Sequence, residues 1–395
     1  FARLEGSKHA IATSLARVGL YQALLALEMK PGERILMSAV NIPEMTAVVR
    51  LLGLEPVFVE WDTGSLFPSV DDLRKKFATV SNQFGRPRVF FSTIVAGQVG
   101  DLGGIHDACR ELGLVFVQDC TQATLTTYAG KPLGRWADIS LFSTCELKFI
   151  HAYRGAFVCT EDDDLASRLR QVIGGVLVPQ GTAPLVRKWI ADTAASVILE
   201  PQLFGRVFHH FKNSIFLQDP FDDEPAGVSI AGLSFFESDA SQMTTKLPER
   251  MVFRASNFEA LAGSDSLLRV RDLVDKHKAI ASRYREAFSE FGILPETSGE
   301  AESSYWRFPI LLASPDGAES FLRRMRRRRI VVERTGLSLL SNDVPRTREI
   351  LSRTVFLPCH AGLNSLDVER VISEVDASRS PSGSPDRENR PENFS

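Results

Sequence analysis

Lys148 lies in the stretch 138–160, DISLFSTCELKFIHAYRGAFVCT, between an apolar strand carrying Ile139, Leu141 and Phe142 and a second one of Ala156, Phe157 and Val158. Desolvation penalises an ammonium, so a lysine held between buried strands loses pKa. A neutral amine is the form that condenses with a carbonyl. Alone, such a lysine reads as a solvated loop residue; other residues in the chain change that reading. Asp119 closes the apolar run LVFVQ (114–118), Gln122 follows three residues later, and Ser143 ends the strand before Lys148. In open α/β sheets ligands bind outside the carboxyl ends of strands, where Asp119, Ser143 and Lys148 all fall.

An aldehyde cofactor built from a pyridine ring and a phosphate asks for this set. A lysine forms the imine, a carboxylate keeps the ring nitrogen protonated, and hydroxyl and backbone donors hold the phosphate. Each residue alone has a plainer reading. Asp119 is a turn or cap aspartate, and Gln122 says nothing by itself. The ordered set on strand ends is what points to the chemistry. A helix starting near Ser14 would turn its free N–H groups to the same edge, which suits a phosphate.

The elements that must position these residues follow from periodicity. Residues 14–28, SLARVGLYQALLALE, put Leu15, Val18, Leu24, Leu25 and Leu27 on a helical period, with Ser14 as N-cap and Pro31-Gly32 as the stop. Strands are expected at 34–37, 56–61, 88–94 and 114–118, and helices at 43–53, 70–77 and 105–112. This alternation implies βαβ crossovers and a mostly parallel sheet covered on both faces, an α/β fold. The segment 174–250 breaks the rhythm and is rich in aromatics, among them Trp189, Phe204, Phe208 and Phe235. It reads as an insertion covering the site or a dimer surface. Within it, 197–211 mixes apolar and basic residues, the composition of a membrane-surface helix, a lesser reading. His209-His210 has no carboxylate or cysteine at ligand spacing, so no metal site is expected.

Beyond it, 267–291 reads as a long charged helix, YWRFPILL (305–312) as a strand of a second domain, and SLDVERVISEV (365–375) as a last helix capped by Ser365. The run SFLRRMRRRR (320–329) holds six arginines and reads as a solvated helix face. The tail 378–395 has a disordered composition. The expected division is a large domain over 1–250, with the insertion 174–250, a small domain over 251–377, and the tail.

Composition excludes other classes. The chain has 395 residues, 44% hydrophobic, 24% charged, with a net charge of −3, which offers nothing to nucleic acid or anionic membrane. Five cysteines with no C-x-x-C pair read as cytoplasmic thiols. The absence of a starting methionine leaves a longer N-terminus expected.

The ordered residues resemble the DegT/StrS-type aminotransferases, which use pyridoxal phosphate on the type I fold and often act on nucleotide-linked keto sugars. HAIATSLARVGLYQALLAL is similar to the family's first strand and phosphate-binding helix, GQVGDLGGIHDACRELGLVFVQDCTQA to the segment leading into its cofactor aspartate, and FSTCELK to its Phe-Ser, four residues, Lys pattern. MVFRASNFEAL and LPCHAGLNSLDVERV resemble its small-domain signatures. The resemblance implies a seven-stranded, mostly parallel sheet, a small C-terminal α/β domain and a homodimer. By position it implies Lys148 as the Schiff-base lysine and proton shuttle, Asp119 at the pyridinium nitrogen, Gln122 beside the ring oxygen and Ser143 at the phosphate. The backbone at Ala16 and Arg17 would also hold the phosphate, and Ile42 would lie against the ring. It further implies amino transfer from an amino acid, glutamate in this family, to a keto group.

The chain departs from the pattern in four places. Ala16-Arg17 stands for Gly-Thr, Ile42 for an aromatic, and Val252 for an asparagine that reaches a partner subunit. FIHAYRG stands for a glycine-rich loop, so His151, Tyr153 and Arg154 are expected to reshape the pocket, with His151 a candidate substrate contact. Two alternatives stay open: a degenerate binding protein without turnover, and a sugar dehydratase. The second carries histidine at the lysine position, and Lys148 argues against it.

Overall fold

Seven strands build the central sheet of the computed structural model, which describes residues 1–145, 147–179 and 246–378 and a few positions between 181 and 234. They are β1 His9–Thr13, β2 Arg34–Ser38, β3 Glu55–Val59, β4 Val89–Thr93, β5 Val115–Asp119, β6 Ile139–Ser143 and β7 Ala156–Thr160. Their order is β1-β7-β6-β5-β4-β2-β3. Pairs from β6 across to β3 are parallel, and β7 is antiparallel to both its neighbours. This is the expected α/β architecture with a mostly parallel sheet.

Parallel strands need crossovers that lay helices on the faces, so the strands are buried on both sides. Side chains alternate accordingly. Phe91, Val117, Leu141 and Val158 pack under the helices α1 Ala16–Ala26, α2 Pro43–Leu51 and α5 Asp163–Val176. Phe90, Phe116, Phe142 and Cys159 face the opposite layer, α3 Val70–Phe84 and α4 Leu102–Leu112. Gly19 lets α1 lie close to the sheet, because a Cβ there would come within 3.1 Å of Val158 Cγ2.

A third apolar core joins α6 Asn257–Phe288, β8 Phe308–Leu311, α7 Pro315–Arg327, β9 Thr354–Leu357 and α9 Ser365–Ala377, through Tyr284, Phe288, Phe308, Phe321, Leu357 and Val371. Strands β8 and β9 pair antiparallel. Two seams tie this unit to the sheet. Ser338–Leu339 pairs with Val40–Asn41. Thr347, in α8 Pro345–Arg353, donates its N–H and hydroxyl to Glu60, each at 2.8 Å.

Several boundaries differ from the sequence reading. Helix α3 runs to Phe84 rather than residue 77, since Val80 continues the buried face of Leu73 and Phe77 until Gly85, at φ +94°, ends it. Helix α6 starts at Asn257, well before residue 267, where Ser256 and Glu259 form a reciprocal capping box. Asn364, not Ser365, caps α9. Leu15, not Ser14, is the N-cap of α1, without a side-chain bond. The arginine run is a solvated face: Phe321, Leu322 and Met325 turn inward, while Arg323, Arg327, Arg328 and Arg329 are exposed. Most of the readings made for 174–250, His209-His210 included, and for the tail lie outside the described residues.

Candidate active site

Strand register gathers the sequence-selected residues at one edge. Thr13 at the end of β1 pairs with Ala156, and Ala156 pairs with Ser143 at the end of β6. One strand over, Asp119 pairs with Leu141 on one side and Thr93 on the other. Because β7 runs antiparallel, its start, not its end, lies at this edge. The ends of β1, β4, β5 and β6 therefore converge there, with the N-terminus of α1 directly following β1. A hollow of about 500 Å³ opens at the opposite edge, lined by His106, Arg110, Trp136 and Asp138, and contains none of these residues.

Asp119 is buried, and its two oxygens are held separately. Asn41 Nδ2 donates to Oδ2 at 2.9 Å, and the Thr121 N–H donates to Oδ1 at 3.0 Å. Asn41 also donates to Thr93 Oγ1 at 2.8 Å, and its own oxygen accepts the Ile42 N–H at 2.7 Å. Among the described residues Asp119 makes no salt bridge. A buried carboxylate with only neutral donors is costly unless a cation completes it. Gln122 accepts the Ala96 N–H at 2.7 Å through Oε1.

Lys148 lies in the field of the Asp119 carboxylate. The residue is half-buried, yet dense surroundings desolvate its amine and pull the pKa below the ordinary value of 10.5; the Asp119 carboxylate pulls it up, and the Arg307 cation pushes it down. Its Nζ stands 4.5 Å from the centre of the Trp306 ring, and Trp306 Nε1 donates to the Leu147 carbonyl at 2.7 Å. Leu147 itself has φ +62°, a conformation that costs a non-glycine residue about 1–3 kcal/mol and concentrates at functional sites.

The desolvated amine gives a testable stability effect. Its folded pKa lies below its unfolded one, so at neutral pH the folded state carries a penalty for the buried ammonium. That penalty is relieved as pH rises through the folded pKa toward 10.5. Lys148→Met is therefore expected to raise the urea midpoint of cofactor-free protein at pH 7, with the advantage shrinking at alkaline pH.

At the other end of the edge, Ser143 Oγ accepts the Cys145 N–H at 3.3 Å, which leaves its hydroxyl proton to donate. Ala16 opens α1, and the first amides of that helix have no side-chain cap. The Ser14 hydroxyl beside them is buried with no hydrogen-bond partner among the described residues. Arg17 is paired with Glu44, in the first turn of α2, at 3.4 Å. Ile42 is half-buried against the sheet core.

The loop after Lys148 folds back on Thr144, next to Ser143, and packs bulky side chains on α6. Phe149 and Ile150 pack on Val270 and Val274 of α6. The His151 N–H donates to Ser266 Oγ at 2.9 Å while the side chain is exposed. Arg154 pairs with the buried Glu259 at 3.0 Å and lies 3.7 Å over the Phe253 ring. The bulky residues dock the loop on α6. Arg154→Ala would strand the Glu259 carboxylate and is expected to cost about 3 kcal/mol in chemical denaturation.

Asn41, Trp306 and Arg307 escaped the sequence reading. Asn41 carried one signal, a polar residue just past a buried strand. The apolar octet 305–312 reads as one strand from its sequence, but β8 begins only at Phe308, leaving Trp306 and Arg307 before it.

The site lies on a known scaffold, and a family model matches residues 1–187 and 233–376. The chain belongs to the DegT/DnrJ/EryC1/StrS aminotransferase family. Family membership carries pyridoxal phosphate with it. A GDP-perosamine synthase of Caulobacter vibrioides is 30% identical over 189 residues, 48% of this chain and 48% of that protein. The chain thus matches about half the length of its curated relatives. The aminotransferase TlmJ of Streptoalloteichus hindustanus superposes with a TM-score of 0.68 at 20% identity, over 95% of this chain and 88% of that one. An aminotransferase from Psychrobacter cryohalolentis gives 0.70 at 16%, over 95% and 88%. At these identities the two structures speak for the fold.

Proposed function

We propose that this DegT/StrS-family chain is a pyridoxal phosphate-dependent aminotransferase, moving an amino group from an amino acid, glutamate by family resemblance, to a keto group on a nucleotide-activated sugar. One observation carries the reading: a desolvated lysine amine stands in the field of a buried carboxylate that has no ion pair among the described residues, at the sheet edge where α1 opens without a side-chain cap. The GDP-linked name of the curated relative supports the sugar substrate.

The residues suit the cofactor. Bound there, pyridoxal phosphate supplies an aldehyde that condenses with amines and a ring that accepts the electron pair left when a proton departs the adjoining carbon. Asp119, fixed by Asn41 and Thr121, holds the proton on the ring nitrogen. The Lys148 amine, whose pKa desolvation lowers, would move the proton from the donor's carbon to the cofactor's adjoining carbon, and run the same transfer in reverse on the keto acceptor. The amides of Ala16 and Arg17 and the hydroxyls of Ser143 and Ser14 receive the phosphate at the positive end of α1. Gln122 steadies the ring oxygen, and Ile42 packs the ring face.

The same reading includes a divide near residue 250, supported by the separate core around Tyr284 and Phe308. It includes a homodimer, supported by Leu261 and Leu268, exposed seven residues apart on α6. It also includes a cytoplasmic setting, supported by five free cysteines. Among the described residues no helix is long and apolar enough to cross a membrane.

The test is optical. Purified protein given cofactor should turn yellow, lose that colour with glutamate, and regain it with the right nucleotide-linked keto sugar. A second reading, binding without turnover, is favoured by the Arg17–Glu44 pair at the mouth of α1. Under it the yellow form would appear and stay unchanged by any amino donor.

A further inference from the structure

Among the described residues, Trp306 is shared by two cations. Lys148 Nζ lies 4.5 Å from its ring centre and Arg307 Cζ lies 4.8 Å from it, which caps the separation of the two charges at about 9 Å. The tryptophan is fixed in place by its bond to the Leu147 carbonyl, and its backbone follows Tyr305 at φ +51°. The carbonyl of Tyr305 is held in turn by His277 Nδ1 at 2.9 Å. Through this ring a guanidinium is held within about 9 Å of the amine at which the donor must react.

Arg307 also already grips a carboxylate. Its Nη1 meets Glu333 Oε2 at 2.5 Å, and both side chains remain partly exposed. Glu333 is bridged to Phe356 of β9 through backbone bonds in both directions, so its carboxylate is presented from a fixed backbone. Guanidinium and carboxylate match in geometry, and an exposed pair of this kind exchanges readily for another carboxylate.

We propose that Arg307 binds the carboxylate of the amino-acid donor, with Glu333 holding the site in the donor's absence. The proposal rests on the aminotransferase reading and assigns the donor's binding group within it. An amino acid carries its carboxylate on the same carbon as the amine it gives up. A donor reacting beside Lys148 must therefore place an anion within a few ångströms of that amine. Arg307 is a cation that the Trp306 ring holds within about 9 Å of it, close enough to meet a carboxylate one carbon away from the reacting amine. Arg307 also bears on Lys148 directly, since its cation lowers the lysine pKa.

The test uses glutarate, which has the carboxylates of a glutamate-like donor but no amine, titrated calorimetrically into cofactor-free protein. Parent protein should bind it. Arg307→Gln should weaken binding by about tenfold to a hundredfold, the loss of charge-assisted bonds to a carboxylate. Glu333→Gln should tighten it, because the resident competitor is removed. A purely structural ion pair would leave both variants with the parent's affinity or weaken both, and either result overturns the proposal. So does an absence of glutarate binding in all three proteins, or inorganic pyrophosphate showing the Arg307 dependence while glutarate does not. Melting temperatures of the variants separate misfolding from lost binding, and Arg307→Lys, keeping charge without the fork, should fall between. Cofactor uptake, read as yellow colour in the parent, reports separately on the aminotransferase reading.

Discussion

Lys148→Ala should lower the rate of amino transfer by roughly 10²- to 10⁴-fold through proton transfer alone. The loss is expected in both half-reactions, because one amine serves both. The proton must be collected beside the cofactor and returned there. Among the described residues no other lysine is singled out by the field of Asp119 and contact with Trp306. Lys148→Arg should fail equally, since a guanidinium stays protonated and cannot act as the base. Single-turnover mixing with glutamate, followed by the colour of the bound cofactor, reads the rate directly. Small primary amines added to the alanine variant should restore part of it.

Asp119→Asn should cost about 10²–10³-fold in turnover, the range for losing one preorganised electrostatic partner. Asn41 shapes the consequence. Its Nδ2 donates to Asp119 Oδ2 at 2.9 Å and to Thr93 Oγ1 at 2.8 Å. An amide at 119 that turns its nitrogen toward Asn41 sets donor against donor, and a buried donor left unpaired costs about 1–3 kcal/mol. An amide that turns its oxygen toward Asn41 keeps that bond but confronts the Thr121 N–H instead. Either way one bond is lost, and no charge remains to hold a proton on the ring nitrogen. The substitution also removes the influence that raises the Lys148 pKa, so the amine should titrate lower still. The pH profile of the first half-reaction reads that shift, and urea unfolding reads the lost bond.

Much of this edge was legible in the chain because strand chemistry is local. Asp119, Ser143 and Lys148 follow runs of buried apolar residues, and a polar residue closing such a run has few places to go but the sheet edge. What brings them together is register, which one-dimensional spacing does not contain: Thr13, Ala156 and Ser143 form one row only because β7 inserts between β1 and β6. Asn41 was missed because its role depends on strands far along the chain, those ending at Thr93 and Asp119. Trp306 and Arg307 were hidden inside an apolar octet read as one strand, whereas the backbone reaches strand geometry only after them. The FIHAYRG loop hides a second demand on its bulk, because α6, which starts at the Ser256–Glu259 capping box far along the chain, offers Phe149, Ile150 and Arg154 a surface. Ser14 has the residue type of a cap, yet the chain enters α1 one residue later, leaving its hydroxyl buried beside the helix start with no partner among the described residues.

The most direct measurement is chemical capture. Protein loaded with pyridoxal phosphate is treated with borohydride, digested, and searched by mass spectrometry for the lysine that carries the reduced cofactor. The expected result is a single modified peptide, from the 138–160 stretch, with the group on Lys148 and none in Asp119→Asn at limiting cofactor. Capture on any other lysine, or no capture from a protein that has taken up the cofactor, would contradict the assignment of this sheet edge as the active site.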